Sequence, residues 1–195
     1  MFNGVKKIRK RVNPPESKDF KVELIENIYE ALNKFDNSFN YDLIINLQGD
    51  MPIFDPKVLQ NLVSKIKSED ITTLVCKANL DEISDPNVVK AVISWDKNDK
   101  DNGTALYFSR TQVPYNALTY WHHIGIYAWK RKSLKKFISF PVSYLEKTEK
   151  LEQLRALENG MIIKAVKTKE NFIGVDTQKD LNKVRNKIKN KSESN

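Results

Sequence analysis

Asp50 is the first residue whose position suggests chemistry. It follows the dense apolar run at residues 43–47 within the stretch YDLIINLQGDMP. Such a run predicts a central strand covered on both faces of a parallel sheet, and Gly49 permits a sharp turn after it. Open α/β sheets bind ligands at the carboxyl ends of their strands, and Mg²⁺ prefers carboxylate ligands. On the strand and turn alone, a solvated turn aspartate remains the simpler interpretation.

Asp176 lies at a second junction of this kind, in the segment NFIGVDT before a predicted helix. Asp50 and Asp176 could converge on one metal ion across the mouth of a sheet. Their spacing in the sequence does not decide whether they do.

A second group of side chains could bind an anion or hydroxyl groups. Arg110 ends a predicted strand, where it could clamp a carboxylate or phosphate or form a surface ion pair. His122 and His123 begin another strand; because neighbouring strand residues face opposite ways, at most one should face a ligand. Glu152 and Gln153 lie on a predicted helix and are by default ordinary surface residues.

Several common catalytic patterns are missing from the sequence. It contains no GxxxxGK[ST] or GxGxxG loop and no nucleophile elbow. A single cysteine, Cys76, excludes an internal disulfide and a metal site made only of cysteines.

Apolar periodicity predicts the elements that position these residues. Helices are expected after residue 22, after Pro56, within 143–160 and after Thr177. Strands are expected at 43–47, 71–75, 88–94, 105–110, 121–129 and 161–166. The first two strands and the helix between them form a predicted right-handed βαβ unit. We therefore expect one α/β domain at residues 22–188, after a basic irregular lead-in at 1–21 and before a disordered basic tail at 189–195.

The positive charge is confined to the two ends of the chain. The formal net charge is +8, of which residues 1–21 carry +5 and residues 177–195 carry +4, so residues 22–176 carry −1. This distribution disfavours a specific nucleic-acid-binding domain. No apolar run is long enough to insert into a membrane, and the first residues have no apolar segment of signal-peptide type, so a cytoplasmic location is expected.

The segments INLQGDMP, YFSRTQVPY, HHIGIYAW, LEQLRALENG and IGVDTQKDL resemble, in order and spacing, those of the 3-deoxy-manno-octulosonate (KDO) cytidylyltransferases. The resemblance runs from about residue 41 to residue 188. It implies a nucleotide-diphosphosugar-transferase-like fold, with a mixed, mainly parallel sheet flanked by helices. It also implies a Mg²⁺-dependent enzyme of lipopolysaccharide biosynthesis that joins CTP to KDO, releases pyrophosphate and forms a homodimer.

The same resemblance assigns roles to individual residues. Asp50 and Asp176 match the catalytic, metal-binding aspartates, and Gln48 matches a glutamine beside the cytidine nucleotide. Four further residues match positions that hold the sugar acid: Arg110, His123, Glu152 and Gln153.

Two departures from the family pattern affect the expected activity. Met51 stands where the family has an acid, and residues 1–40 contain neither the usual basic, glycine-containing phosphate loop nor the Ser-Gly-Thr-Asp-Arg-like segment. We therefore expect a sheet that lacks the first βα unit and a chain that is poorly active alone. The alternatives are an active enzyme completed by another chain, an inactive remnant or partner-binding subunit of a split enzyme, and, least favoured, a basic nucleic-acid-binding protein.

Overall fold

The structure is a computed structural model of the chain. It describes residues 24–48, 51–52, 55–66 and 69–169, together with residues 172, 175, 178, 181–182, 184–186 and 188. The helices are α1 (Leu24–Phe35), α2 (Pro56–Ser64), α3 (Leu80–Ile83), α4 (Arg131–Ile138), α5 (Tyr144–Glu149) and α6 (Gln153–Glu158). The strands are β1 (Leu43–Asn46), β2 (Ile71–Lys77), β3 (Lys90–Trp95), β4 (Asn102–Ser109), β5 (Trp121–Lys130) and β6 (Ile163–Lys167).

The described strands form one mixed sheet in the order β1-β5-β2-β6-β4-β3, with an additional β5–β3 pairing. The prediction of a mixed α/β sheet flanked by helices is confirmed. The prediction that it is mainly parallel is wrong, since β2 and β6 form the parallel pair and the other described pairs are antiparallel. Apolar runs and alternation indicate strands, but they do not encode strand direction, which depends on long-range pairing.

The predicted βαβ unit is split by a strand from later in the chain. Both β1 and β2 pair antiparallel with β5 around residues 127–129, so β1 and β2 run in the same direction with β5 between them. Within the described sheet β1 is an edge strand, and Leu43 and Ile45 are 40% and 37% exposed. The interpretation of β1 as a central strand was therefore wrong, because an apolar run does not specify which strands will lie beside it.

Two apolar cores cover the two faces of the sheet. Tyr127 and Trp129 of β5 point into the first core, with α1, α4 and α6, whereas Ile126 and Ala128 point into the second core, with α2. This alternation along β5 follows from the two-residue period of a strand. The face that carries the first core is called the first face below.

The helix predicted within residues 143–160 is two short helices. Lys150 has a left-handed backbone conformation, with φ at 54°, and separates α5 from α6. Periodicity missed this break because a left-handed lysine carries no sequence signal of the kind that glycine gives.

The described helices are each too short or too polar to cross a bilayer. The predicted lead-in at residues 1–21 and the predicted tail at 189–195 lie outside the described residues.

Candidate functional site

Gln48 lies directly over Gly125 of β5. The β1–β5 register pairs Asn46 with Tyr127. Because the strands are antiparallel, Gln48, two positions after Asn46, comes opposite Gly125, two positions before Tyr127. A Cβ atom on Gly125 would lie 2.9 Å from Nε2 of Gln48 and 3.1 Å from its Cδ and Oε1. The absence of a side chain on Gly125 therefore makes the space that the Gln48 amide occupies.

His123 is held in the core rather than in open solvent. It is 7% exposed, its Nε2 lies 3.0 Å from the Thr73 hydroxyl, and its ring packs edge-on against Phe108 at 4.7 Å. Burial lowers the pKa of His123 to about 3, so the ring is neutral near pH 7.

The surroundings of Thr73 also favour one tautomer of His123. A register shift after Thr73 in β2 brings its hydroxyl within 2.9 Å of the Ile126 carbonyl and 3.2 Å of the Ile124 carbonyl. A threonine hydroxyl has one proton, and donating it to a carbonyl makes Nε2 of His123 the donor to Thr73. Nδ1 is then left as a hydrogen-bond acceptor.

The prediction that the two histidines face opposite ways is confirmed. His123 packs in the first core, whereas Nδ1 of His122 lies 3.3 Å from Oε1 of Glu82 on α3. Burial lowers the pKa of His122, and the nearby Glu82 carboxylate opposes that shift.

Within the described residues, Arg110 forms no surface ion pair, and its guanidinium is held by backbone carbonyls. Its Nε donates to the Glu149 carbonyl at 2.9 Å, its Nη1 to the Pro86 carbonyl at 3.0 Å and its Nη2 to the Lys150 carbonyl at 3.3 Å. These contacts use three of the five N–H bonds of a guanidinium. The other two N–H bonds can bind an anion.

Glu152 and Gln153 are not the ordinary surface residues that the helix pattern suggested. Gln153 is 5% exposed, and the Glu152 carboxyl reaches back to α1, where it accepts the Ile25 backbone N–H at 3.2 Å. Burial, followed by the hydrogen bond with Glu26, raises the pKa of Glu152 to about 8. Ile25, whose N–H Glu152 accepts, and Leu154, two residues after Glu152, both belong to the first core, so Glu152 lies beside the first face.

The structure therefore brings sequence-distant candidates to a common region. Gly125, under Gln48, is two residues from His123 along β5, so both face the same side of the sheet. Phe108, which contacts His123, is two residues before Arg110. Glu152 approaches the same face from α6.

Sequence reasoning missed Thr73, Gly125 and Glu149. Glu149 accepts the Ser109 hydroxyl at 2.7 Å and the Arg110 backbone N–H at 3.0 Å, so it fixes the end of β4. A glycine inside a strand can indicate a close approach, which was the available signal for Gly125. Thr73 and Glu149 carry no local signal, because their partners lie about 40 to 50 positions away.

The two predicted metal ligands, Asp50 and Asp176, lie outside the described residues. Their convergence and the Mg²⁺ site therefore remain predictions. Within the described part of the chain, no group of three or more His, Cys, Asp or Glu side chains is arranged to hold a metal ion.

Residues 24–168 match the family model for cytidylyltransferases. The chain is 44% identical over 167 residues to the 3-deoxy-manno-octulosonate cytidylyltransferase of Paramagnetospirillum magneticum, covering 84% of this chain and 68% of that protein. It is 40% identical over 164 residues to the enzyme of the same name from Rhodospirillum rubrum, covering 82% of this chain and 65% of that protein.

The fold is similar to a solved structure of CMP:2-keto-3-deoxy-manno-octonic acid synthetase complexed with CTP. The TM-score is 0.74 at 31% identity, covering 86% of this chain and 68% of the solved one. The chain thus spans about two thirds of the length of the relatives that it matches.

Proposed function

Since the chain belongs to the cytidylyltransferase family, we propose that it transfers the cytidylyl group of CTP to KDO. A hydroxyl oxygen of the sugar attacks the α-phosphorus, and the bond from that phosphorus to the bridging oxygen of pyrophosphate breaks. The hydroxyl proton passes to solvent, and CMP-KDO and pyrophosphate leave. The product would supply lipopolysaccharide biosynthesis.

One observation carries this proposal: a candidate for each substrate lies on the same face of the sheet. Gln48, the candidate for the cytidine nucleotide, lies over Gly125, and His123, a candidate for the sugar acid, lies two residues away along β5. Substrates held this close need little further movement to react. Positioning of this kind supplies much of the catalysis in phosphoryl transfer.

The sugar-acid candidates have suitable chemistry. The two remaining N–H bonds of Arg110 can donate to the sugar carboxylate, and such charge-assisted hydrogen bonds are stronger than neutral ones. A neutral His123 can accept a sugar hydroxyl at Nδ1. Sugar contacts by Glu152 and Gln153 remain predictions from the family resemblance, because the Glu152 carboxyl here contacts α1.

Asp50 and Asp176 are the proposed Mg²⁺ ligands. Two carboxylates fit the ligand preference of Mg²⁺, which commonly combines one or two carboxylates with substrate phosphates. When bound, the ion would neutralise charge that develops on the phosphates.

The proposal is tested by calorimetric titration of the full chain with KDO and, separately, with Mg²⁺ and CTP. We expect KDO binding that Arg110→Ala weakens by about tenfold or more, since a charged hydrogen bond contributes about 1.5–3 kcal/mol. Lys132→Ala, an exposed charge removal on α4, is the matched control and should leave binding unchanged. Absence of KDO binding, or equal binding by Arg110→Ala, would overturn the proposal. The rate of pyrophosphate release by the purified chain, with CTP, KDO and Mg²⁺, then measures its activity without another protein.

We also propose that the protein is cytoplasmic and forms a homodimer. Tyr115 and Leu118, in the connection between β4 and β5, are almost completely exposed, which supports burial against another chain. Light scattering should give the mass of two chains, and replacing both residues with serine should reduce the dimer. A monomeric wild type would contradict the homodimer.

A partner-binding role is a second candidate function, supported by β1, which is an edge strand within the described sheet. Leu43 and Ile45 present apolar surface at an edge that could accept another strand. Ile45→Lys should then reduce association measured by sedimentation without affecting KDO binding.

A further inference from the structure

We infer that Lys90 is a positioning residue that holds Arg110 in place for the sugar carboxylate, an inference that rests on the proposed function. Lys90 begins β3 and is completely buried. Its Nζ donates to the carbonyl oxygens of Asp85 at 2.8 Å, Val88 at 2.6 Å and Arg110 at 2.7 Å.

These contacts satisfy the Lys90 side chain. An ammonium group has three N–H donors and no acceptor, and Lys90 has three carbonyl partners. A buried ammonium without such partners would be strongly destabilising. Lys90 therefore holds main-chain carbonyls in place, and its ammonium group has no N–H donor left for a substrate.

The main-chain segments that Lys90 binds are the ones that hold Arg110. The main chain of Arg110 is held on both sides, with its carbonyl oxygen bound to Lys90 and its N–H bound to the Glu149 carboxylate. Lys90 also binds two carbonyls of the loop at residues 85–88. The same loop carries Pro86, whose carbonyl accepts a hydrogen bond from Nη1 of Arg110. Lys90 thus acts on Arg110 directly and through Pro86.

Loss of Lys90 should therefore change the sugar-acid site specifically. The Arg110 carbonyl and the 85–88 loop would lose a shared partner, so the main chain of Arg110 and the Pro86 carbonyl that binds its guanidinium would be held less firmly. The affinity for KDO should fall, because binding would then have to order Arg110. The affinity for CTP should hold, because Gln48, which contacts Gly125, is not among the three partners of the Lys90 ammonium.

The decisive experiment compares Lys90→Met with Arg131→Met. Arg131 is also a buried cation with carbonyl partners, those of Asp36 and Tyr41, and it pairs in addition with the Asp36 carboxylate, but it follows the far end of β5. It lies nine positions after His122, the β5 partner of Lys90, and hence more than about 20 Å away at the rise of a strand, once the register shift between β2 and β5 is included. Both variants should lower the Tm.

Calorimetry should separate the two variants. We expect Lys90→Met to weaken KDO binding about tenfold and to change CTP binding by less than about twofold. Arg131→Met should change neither affinity by more than about twofold. Equal KDO affinity in Lys90→Met and wild type, or equal losses for KDO and CTP, would overturn the inference while leaving the proposed function intact. A wild type that binds no KDO would overturn both.

A second variant tests the premise of the inference, that a firmly held Arg110 main chain sets the affinity for KDO, if Lys90→Met does not fold. In Glu149→Gln the side-chain amide nitrogen cannot accept the Arg110 N–H, whereas the remaining oxygen can still accept the Ser109 hydroxyl. It should weaken KDO binding and increase amide hydrogen exchange at residues 109–111 without altering CTP binding. Unchanged KDO binding in Glu149→Gln would show that this support of Arg110 does not matter for the site.

Discussion

The carboxyl group of Glu152 accepts the backbone N–H of Ile25, joining the start of α6 to the first turn of α1 at 3.2 Å. The neighbouring Glu26 has one carboxylate oxygen bound to Arg155, while its Oε2 is buried with no hydrogen-bond partner in the described structure. A protonated Glu152 carboxyl could donate to this oxygen. We therefore expect the two acids to share one proton at the contact between α1 and α6.

Glu152→Gln should change how stability depends on pH. In wild type the pKa of Glu152 is raised from its ordinary value of 4.5 to about 8, first by burial and then by Glu26. Between these values the unfolded chain loses the proton first, so the free energy of unfolding falls as pH rises. A glutamine can still accept from Ile25 and donate to Glu26. Urea denaturation at pH 5 and pH 9 should therefore show a smaller decrease in stability for the variant.

Glu158→Gln is the control on the same helix. Burial opposes ionisation of Glu158, but the nearby Ser143 side chain and backbone N–H groups, such as that of Leu145, outweigh it and lower the pKa. The contribution of Glu158 to the free energy of unfolding is fully present at pH values above its pKa in the unfolded chain. That contribution is lost as pH falls through its pKa in the folded chain. Glu158→Gln should therefore show the same decrease in the free energy of unfolding between pH 5 and pH 9 as the wild type. A wild type whose free energy of unfolding does not decrease over this range would contradict the shared proton.

Arg155→Met should strongly destabilise the fold. The guanidinium is 3% exposed, lies over the Phe137 ring and binds the carboxylates of Glu26 and Glu146. Removing it would leave two acids without their cation, which typically costs about 3–5 kcal/mol. Lys34→Met breaks an exposed pair with Glu30 and should cost no more than about 1 kcal/mol. Urea denaturation at pH 7 measures both, and equal costs would show that burial does not decide the effect.

Gly125→Ala should weaken nucleotide binding with little effect on folding. The new methyl group would meet the Gln48 amide, which is the end of a flexible side chain and can move away. Calorimetry should show weaker CTP binding and a nearly unchanged Tm. In a Gln48→Ala background, adding Gly125→Ala should cause no further loss, because the displaced group is already absent. A full additional loss would mean that Gly125 acts independently of Gln48.

Asp50→Asn and Asp176→Asn should each weaken Mn²⁺ binding, measured by electron paramagnetic resonance with CTP present. If both carboxylates bind one ion, the double variant should be little worse than either single variant. Asp55→Asn is a nearby control, because an asparagine oxygen can still accept the Lys57 N–H at the start of α2. Normal Mn²⁺ binding by either single variant would remove that residue from the proposed site.

The sequence by itself determined most of the local structure and the candidate chemistry. The spacing of Ile25 and Leu32 predicts the buried side of α1, and both residues are in the core. The apolar and alternating runs predict the six described strands within a few residues. These features are recoverable because helix and strand periods are properties of consecutive residues. The quoted motifs likewise indicate the family without any structure.

Only the tertiary structure decided which of these residues meet. The insertion of β5 between β1 and β2 brings Gly125 beneath Gln48, and the left-handed Lys150 directs two carbonyls to Arg110. Glu152 is by default an ordinary surface residue in the sequence, yet its partner Ile25 lies 127 positions away. Burial and pairing of this kind depend on contacts across the whole chain, and no local pattern encodes them.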